Sequence, residues 1–198
     1  ILAGLTGLGL VLYFNVGIWA LPMGFIGMIA GFFYSTKPIR WVGTGLGELW
    51  IAFCYGWLPV AVGFYLQTQT INPIVHFISF PIALSIFNVI LLNEYPDYQA
   101  DKKAGKNNMV VRLGKERATI LYILIALGSW ITGLLTIPYG VPLTLLVLFG
   151  PIILMSIIIV KDLSKKLWSD TNKLERLMGM NLIVNIGTTA SFIIAFIG

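Results

Sequence analysis

The chain has 198 residues, 58% of them hydrophobic and only 11% charged, with a mean hydropathy of +0.89. Soluble domains carry about 25% charged residues, so the composition excludes an ordinary water-soluble enzyme and points to a chain built for lipid. A net charge of +5 does not argue for a nucleic-acid partner, because in so apolar a chain basic residues mark the loops held in the cytoplasm. A single cysteine, Cys54, excludes an intramolecular disulfide, and a single histidine, His76, leaves no His-based metal cage or catalytic triad.

In chain order, the apolar runs are residues 1–14, 18–35, 44–66, 73–93, 117–136, 141–160 and 177–197. The first is short of the roughly 20 residues that a spanning helix needs. It opens at Ile1 without a methionine or a basic leader, so it does not read as a signal peptide but as a helix whose beginning lies upstream. Every Lys and Arg falls in one of three connections, 37–40, 102–117 and 161–176, whereas the connections near 15–17, 67–72 and 137–140 carry no charge. This strict alternation predicts about seven spans with every second loop on the cytoplasmic side. Lipid admits only helices or closed barrels, and runs of this length do not suit barrel strands. The expected class is therefore all-α: one polytopic membrane bundle over residues 1–198.

Some polar residues interrupt the spans. Glu48 lies about one turn into the third, Ser85 and Asn88 in the fourth, and Asn181, Asn185 and Thr188 share a face of the seventh. Such groups face the bundle interior, either as interhelical hydrogen bonds or as the wall of a polar pocket. Glu48 and Asn88 are the pocket candidates, and Glu48 stands out because a carboxylate at that depth is costly unless paired or wet.

The longest polar stretch, 93–114, reads N-E-Y-P-D-Y-Q-A-D-K-K-A-G-K-N-N-M-V-V-R-L-G. Asp97 and Asp101 are four residues apart, on one helical face if the backbone there is helical. Carboxylates with cations and a glycine nearby suit a metal-bound diphosphate, since Mg²⁺ takes one or two protein carboxylates and completes its shell with water and phosphate oxygens. A solvated interhelical loop would also carry mixed charge. Pro96 cannot extend a helix without losing a backbone bond, so the fourth span is expected to end near Glu94. A short helix then restarts at Pro96 and stops at Gly105, within a charged loop over 94–116. Asn93 closes the span and can reach the same centre.

The pattern N-x-x-x-D-x-x-x-D-K-x-A-G-K-x-x-x-V-x-R-L-G at 93–114 resembles the second aspartate-rich motif of the UbiA superfamily of intramembrane prenyltransferases. Y-S-x-x-P-I-R at 34–40 and G-L-G-E at 45–48 resemble that family too. The details A-G-K, V-R-L-G-K-E-R-A and Y-L-Q-T (65–68) are most similar to the branch that prenylates 1,4-dihydroxy-2-naphthoate. The resemblance implies nine helices in the complete fold, with a first aspartate-rich motif ahead of residue 1 on the same face as Asp97. It implies transfer of a polyprenyl group from its diphosphate to an aromatic acceptor, with Mg²⁺ held by Asp97 and Asp101 and with Asn93 beside them. Lys102, Lys106, Arg112, Lys37 and Arg40 would bind the diphosphate, and Tyr34, Glu48 and Asn88 would line the substrate pocket. Lys103 and Lys115 are assigned to topology. Other acceptors of the family remain open: hydroxybenzoate, homogentisate, chlorophyllide, haem or a glycerol lipid. A transporter would need charges at the midplane, and these lie at one face. A lipid-binding role would explain the lysines but not the paired aspartates.

Overall fold

The computed structural model describes residues 2–197. Ile1, where the first predicted span begins, and Gly198, the end of the predicted domain, lie outside them. Among the described residues there is no strand. The helices are α1 (Leu2–Phe14), α2 (Ala20–Ser35), α3 (Gly47–Ala52), α4 (Leu58–Thr68), α5 (Pro73–Lys103), α6 (Met109–Leu134), α7 (Thr144–Ser164) and α8 (Thr171–Ile197). A π-turn, Phe53–Trp57, joins α3 to α4. The predicted third span is thus one rod, Gly47–Thr68, with a widened turn in its middle.

Five rods are long and apolar enough to cross a membrane: Gly47–Thr68, Pro73–Lys103, Met109–Tyr139, Thr144–Ser164 and Thr171–Ile197. α1 and α2 are apolar but shorter, with 13 and 16 residues. At 1.5 Å per residue they fall short of the roughly 30 Å hydrocarbon core. The protein is an integral, multi-pass membrane protein with an all-α bundle.

Local chemistry sets the helix starts. The Asn72 side chain accepts from the Ile74 N–H at 3.0 Å, and Pro73 follows at a position that needs no intrahelical donor. Asn108 caps α6 through the Val111 N–H at 2.9 Å. Asp170 caps α8 through the Lys173 N–H at 3.2 Å. α5 is the central rod. Its Leu91, Leu92 and Tyr95 are fully buried against Val110, Ala118 and Tyr122 of α6 and Leu177 of α8. Gly56 of the π-turn sits directly on Ala83 of α5, where a Cβ would collide with backbone. A small residue there lets two rods touch, as membrane packing favours.

Three boundaries differ from expectation. α5 does not end at Glu94 but runs through Pro96 to Lys103. Pro96 forfeits one backbone bond, and burial of Leu91, Leu92 and Tyr95 around it offsets that loss. The charged loop of 94–116 therefore shrinks to 104–108, because α6 starts at Met109 rather than at 117. Gly114, at φ +76°, interrupts α6 with a non-helical residue. α8 starts at Thr171, a turn and a half before the expected 177, since Asp170 provides a cap. Gly105 does terminate α5, with the left-handed φ of +71° that glycine adopts freely.

The alternation of charged and uncharged connections has a direct structural counterpart. The Asn107 N–H donates to the Gly43 carbonyl at 3.0 Å, and Lys166 pairs with Glu116, so the three basic connections meet at one end. At the other end Gln69 Nε2 donates to the Asn15 carbonyl at 2.7 Å and Phe77 stacks on Tyr139. The three uncharged connections meet there.

Candidate active site

The charged end is assembled from α3, the C-terminal turns of α5, and the start of α6. Since α5 is unbroken, Asp97 and Asp101 lie one turn apart on one face of it. Asp97 is exposed, and its carboxylate takes part in no ion pair or hydrogen bond among the described residues. Asp101 is buried and occupied: Lys106 Nζ lies 2.6 Å from Oδ1, and Asn108 Nδ2 donates to Oδ2 at 2.9 Å. Asn108 thus does two things at once, capping α6 with its oxygen and tethering Asp101 with its nitrogen. Asn93 is exposed one turn below Asp97.

The predicted cations divide. Lys106 is bound to Asp101. Lys102 is exposed and leans over the Tyr98 ring at 5.9 Å. Arg112 Nε donates to the Asn107 carbonyl at 2.8 Å and packs over Gly45, whose φ of +67° and lack of a Cβ admit it. This explains why a glycine stands in G-L-G-E. Lys37 and Arg40 are exposed on the connection between α2 and α3. Lys115, assigned to topology from sequence, instead sits among the Tyr95, Tyr98 and Trp168 rings at 6.0, 5.7 and 5.4 Å. Its half-buried ammonium lies near three aromatic faces.

Glu48 is 2% exposed. Its Oε1 accepts the Met109 N–H at 2.7 Å, whereas Oε2 has no donor. Facing it within hydrogen-bonding reach is Glu94 of α5, whose Oε2 accepts the Val110 N–H at 3.4 Å. The sequence reading took Glu94 only as a helix end. The signal available was spacing: Glu94 and Asp101 are seven residues apart, hence almost in line on one helix, about 10 Å apart along its axis. Tyr34 of α2 lies within the field of both glutamates. It borders a cavity of about 390 Å³ with Trp50, Cys54 and Tyr55. A second, almost wholly apolar groove of about 370 Å³ runs along α5, lined by Leu49, Ala52, Phe53, Trp57, Phe80 and Phe87.

Asn88 is not part of this end. It lies in a closed seam at the middle of the bundle, where its Nδ2 donates to the Tyr122 carbonyl at 3.1 Å and its own carbonyl accepts from Asn181 Nδ2 at 2.9 Å. The space beside it, about 10 Å³, holds no substrate. Asn185 Nδ2 donates to Ser85 Oγ at 2.8 Å in the same seam. On the polar face of α8, Asn181 and Asn185 bond across helices while Thr188 donates to the Val184 carbonyl of its own helix, and Asn88 is engaged in this seam rather than lining either cavity.

Among the described residues no three His, Cys, Asp or Glu side chains gather as a cage. Two carboxylates suffice for Mg²⁺ with a diphosphate, and Asp97, unpaired and exposed, fits that use.

A family comparison decides the class: residues 1–183 match the UbiA prenyltransferase family. The chain belongs to that family. It is 32% identical over 129 residues to the 1,4-dihydroxy-2-naphthoate octaprenyltransferase of Bacillus subtilis, a match covering 64% of this chain and 42% of the relative. It is 33% identical over 111 residues to the UbiA prenyltransferase domain-containing protein 1 of Dictyostelium discoideum, covering 56% and 34%. With the bacteriochlorophyll synthase 33 kDa chain of Cereibacter sphaeroides it shares 28% over 123 residues, covering 59% and 39%. The chain spans less than half the length of each of these relatives. No solved structure matches.

Proposed function

We propose that this protein transfers a polyprenyl group from a polyprenyl diphosphate to an aromatic acceptor within the membrane, with Mg²⁺ as the metal and 1,4-dihydroxy-2-naphthoate as the acceptor, the charged end facing the cytoplasm. The observation that carries the reading is the position of Asp97 and Asp101 at the rim where the basic connections converge, on the same rod, α5, whose deeper turns line an apolar groove. Family membership and the naphthoate-acting relatives support it. The positive-inside tendency supports the sidedness.

In this reading Asp97 and Asp101 would hold the metal, and Asn93 would contact the diphosphate beside them. Bound Mg²⁺ would neutralise the diphosphate and make it a better leaving group. Lys106 moves from Asp101 to a phosphate oxygen when donor enters, freeing Asp101. Lys102, Arg112, Lys37 and Arg40 supply further positive charge where the leaving group gains negative charge. The groove between Leu49 and Phe80 takes the isoprenoid tail, keeping it out of water. Tyr34 presents a π-face toward the carbon that becomes cationic as the C1–O bond breaks.

The test is diphosphate release from geranyl diphosphate with 1,4-dihydroxy-2-naphthoate and Mg²⁺, by the full-length protein in lipid nanodiscs. D97N and D101N should each lower turnover by about 100-fold or more, since each removes charge stabilisation felt in the transition state. Unchanged turnover in both would overturn the reading.

A further inference from the structure

The paired glutamates are not used by the transfer step described above. Glu48 keeps one oxygen without a donor although the residue is almost entirely buried. A lone buried acceptor of this kind is costly to maintain. Capping α6 explains only one oxygen of each carboxyl: Oε1 of Glu48 on Met109 and Oε2 of Glu94 on Val110. Glu94 lies within hydrogen-bonding reach of Glu48, and Tyr34 is near both.

Their depth is informative. Asp97 and Asp101 sit at the rim, and Glu94 lies about two turns further into the bundle on the line of Asp101. A donor whose diphosphate is held at the rim and whose tail runs along α5 places its reacting carbon between the two levels. The acceptor must then lie beside Glu94 and Glu48, and Tyr34, which is near both glutamates, also borders the aromatic-lined cavity with Trp50 and Tyr55.

We propose that the Glu48–Glu94 pair is the proton acceptor for a hydroxy-aromatic substrate; this rests on the prenyl-transfer reading. As the ring attacks, the acceptor's O–H bond breaks and its proton passes to the member of the pair that is ionised. The O–H electrons become a C=O bond and push density to the ring carbon. That carbon bonds to C1 of the prenyl group, and the C1–O bond breaks with its electron pair leaving on diphosphate. The product is a ring ketone, which regains aromaticity by moving a ring proton to oxygen, or by losing carbon dioxide where the carbon carries a carboxylate. The charged and titratable groups around the pair are Tyr34 from α2 and Asp101 from α5, with Tyr55 from the π-turn beside Tyr34.

The experiment compares E48Q, E94Q and the double variant with wild type in the same nanodisc assay. Glutamine still accepts from the Met109 and Val110 N–H groups, so the α6 cap survives and the melting temperature should stay close to wild type. The double variant should lose about 100-fold in kcat, the usual share of a general base, with KM for geranyl diphosphate unchanged. A chlorinated, more acidic naphthol, already ionised at neutral pH, should recover most of that loss. A kcat within twofold of wild type, or an equal deficit with the acidic acceptor, would leave the pair as a helix cap and overturn the proposal. If the double variant fails to fold, E94Q alone carries the comparison, because its bond to Val110 is long. D97N separates the two claims. Wild-type turnover that D97N abolishes but the Gln variants do not touch sinks only the pair. A wild type inactive on every hydroxy-aromatic offered, or turnover indifferent to D97N, removes the enzyme reading itself.

Discussion

Two regions of this bundle bury polar side chains, and they behave differently. In the central seam, Asn88, Tyr122, Asn181, Ser85 and Asn185 bond to one another across α5, α6 and α8. One neutral acceptor there, Asn88 Oδ1, lacks a donor. At the charged end a carboxylate oxygen lacks one, a second glutamate faces it, and Asp97 stands unpaired. Polar groups that satisfy each other hold helices together. Ionisable groups kept unsatisfied are available to a substrate.

The sharpest way to test this division is to exchange the expected outcomes. D101N should abolish most turnover with only a modest drop in the thermal midpoint, since Asn still accepts from Asn108 but loses the ion pair with Lys106. Gly56→Leu should do the opposite. Its side chain meets Ala83 backbone, so overpacking should cost about 1–3 kcal/mol, read as a lower midpoint in detergent. Asn108→Ala spans the two regions: loss of the α6 cap should cost about 1 kcal/mol, and release of Asp101 should weaken donor binding as well. Tyr122→Phe deletes the 2.8 Å bond to Asn181 and should cost about 1 kcal/mol or less, with kcat unaffected.

The smallest effect belongs to Asp170, outside the spans. The Lys173 backbone N–H beside it holds its carboxyl below the usual range. A depressed carboxyl adds stability above its unfolded pKa and loses it as pH falls through the folded value. D170N should therefore flatten a shallow acid-side decline in the melting temperature by lowering the neutral value slightly and leaving the acid value nearly unchanged. An identical acid slope in both proteins would remove this contribution.

Much of this was legible in the sequence because it depends on composition and periodicity. The strict alternation of charged and uncharged connections predicted which loops meet, and Asn107 on Gly43 and Gln69 on Asn15 realise it. The Asp97–Asp101 spacing placed both on one face. The failures were contextual. Pro96 reads as a stop when only local backbone bonding is weighed, yet the packing of Leu91, Leu92 and Tyr95 overrides it. Asn88 and Glu48 look alike as lone polar residues in apolar runs. Only the neighbouring helix tells them apart: one meets an amide partner on α8, the other an opposing acid on α5. Lys115 could not be distinguished from a loop lysine until Tyr95, Tyr98 and Trp168 closed around it.

The clasp between Lys106 and Asp101 has a consequence for how the donor is held. Before anything binds, that corner is already neutral, with the lysine standing in for the metal and the aspartate for the phosphate. Under the prenyl-transfer proposal, donor entry at this pair would be an exchange of ions rather than the arrival of an anion on bare positive charge. The pair itself should then add little to the ionic-strength dependence of donor affinity, which the exposed Lys102, Arg112, Lys37 and Arg40 would carry.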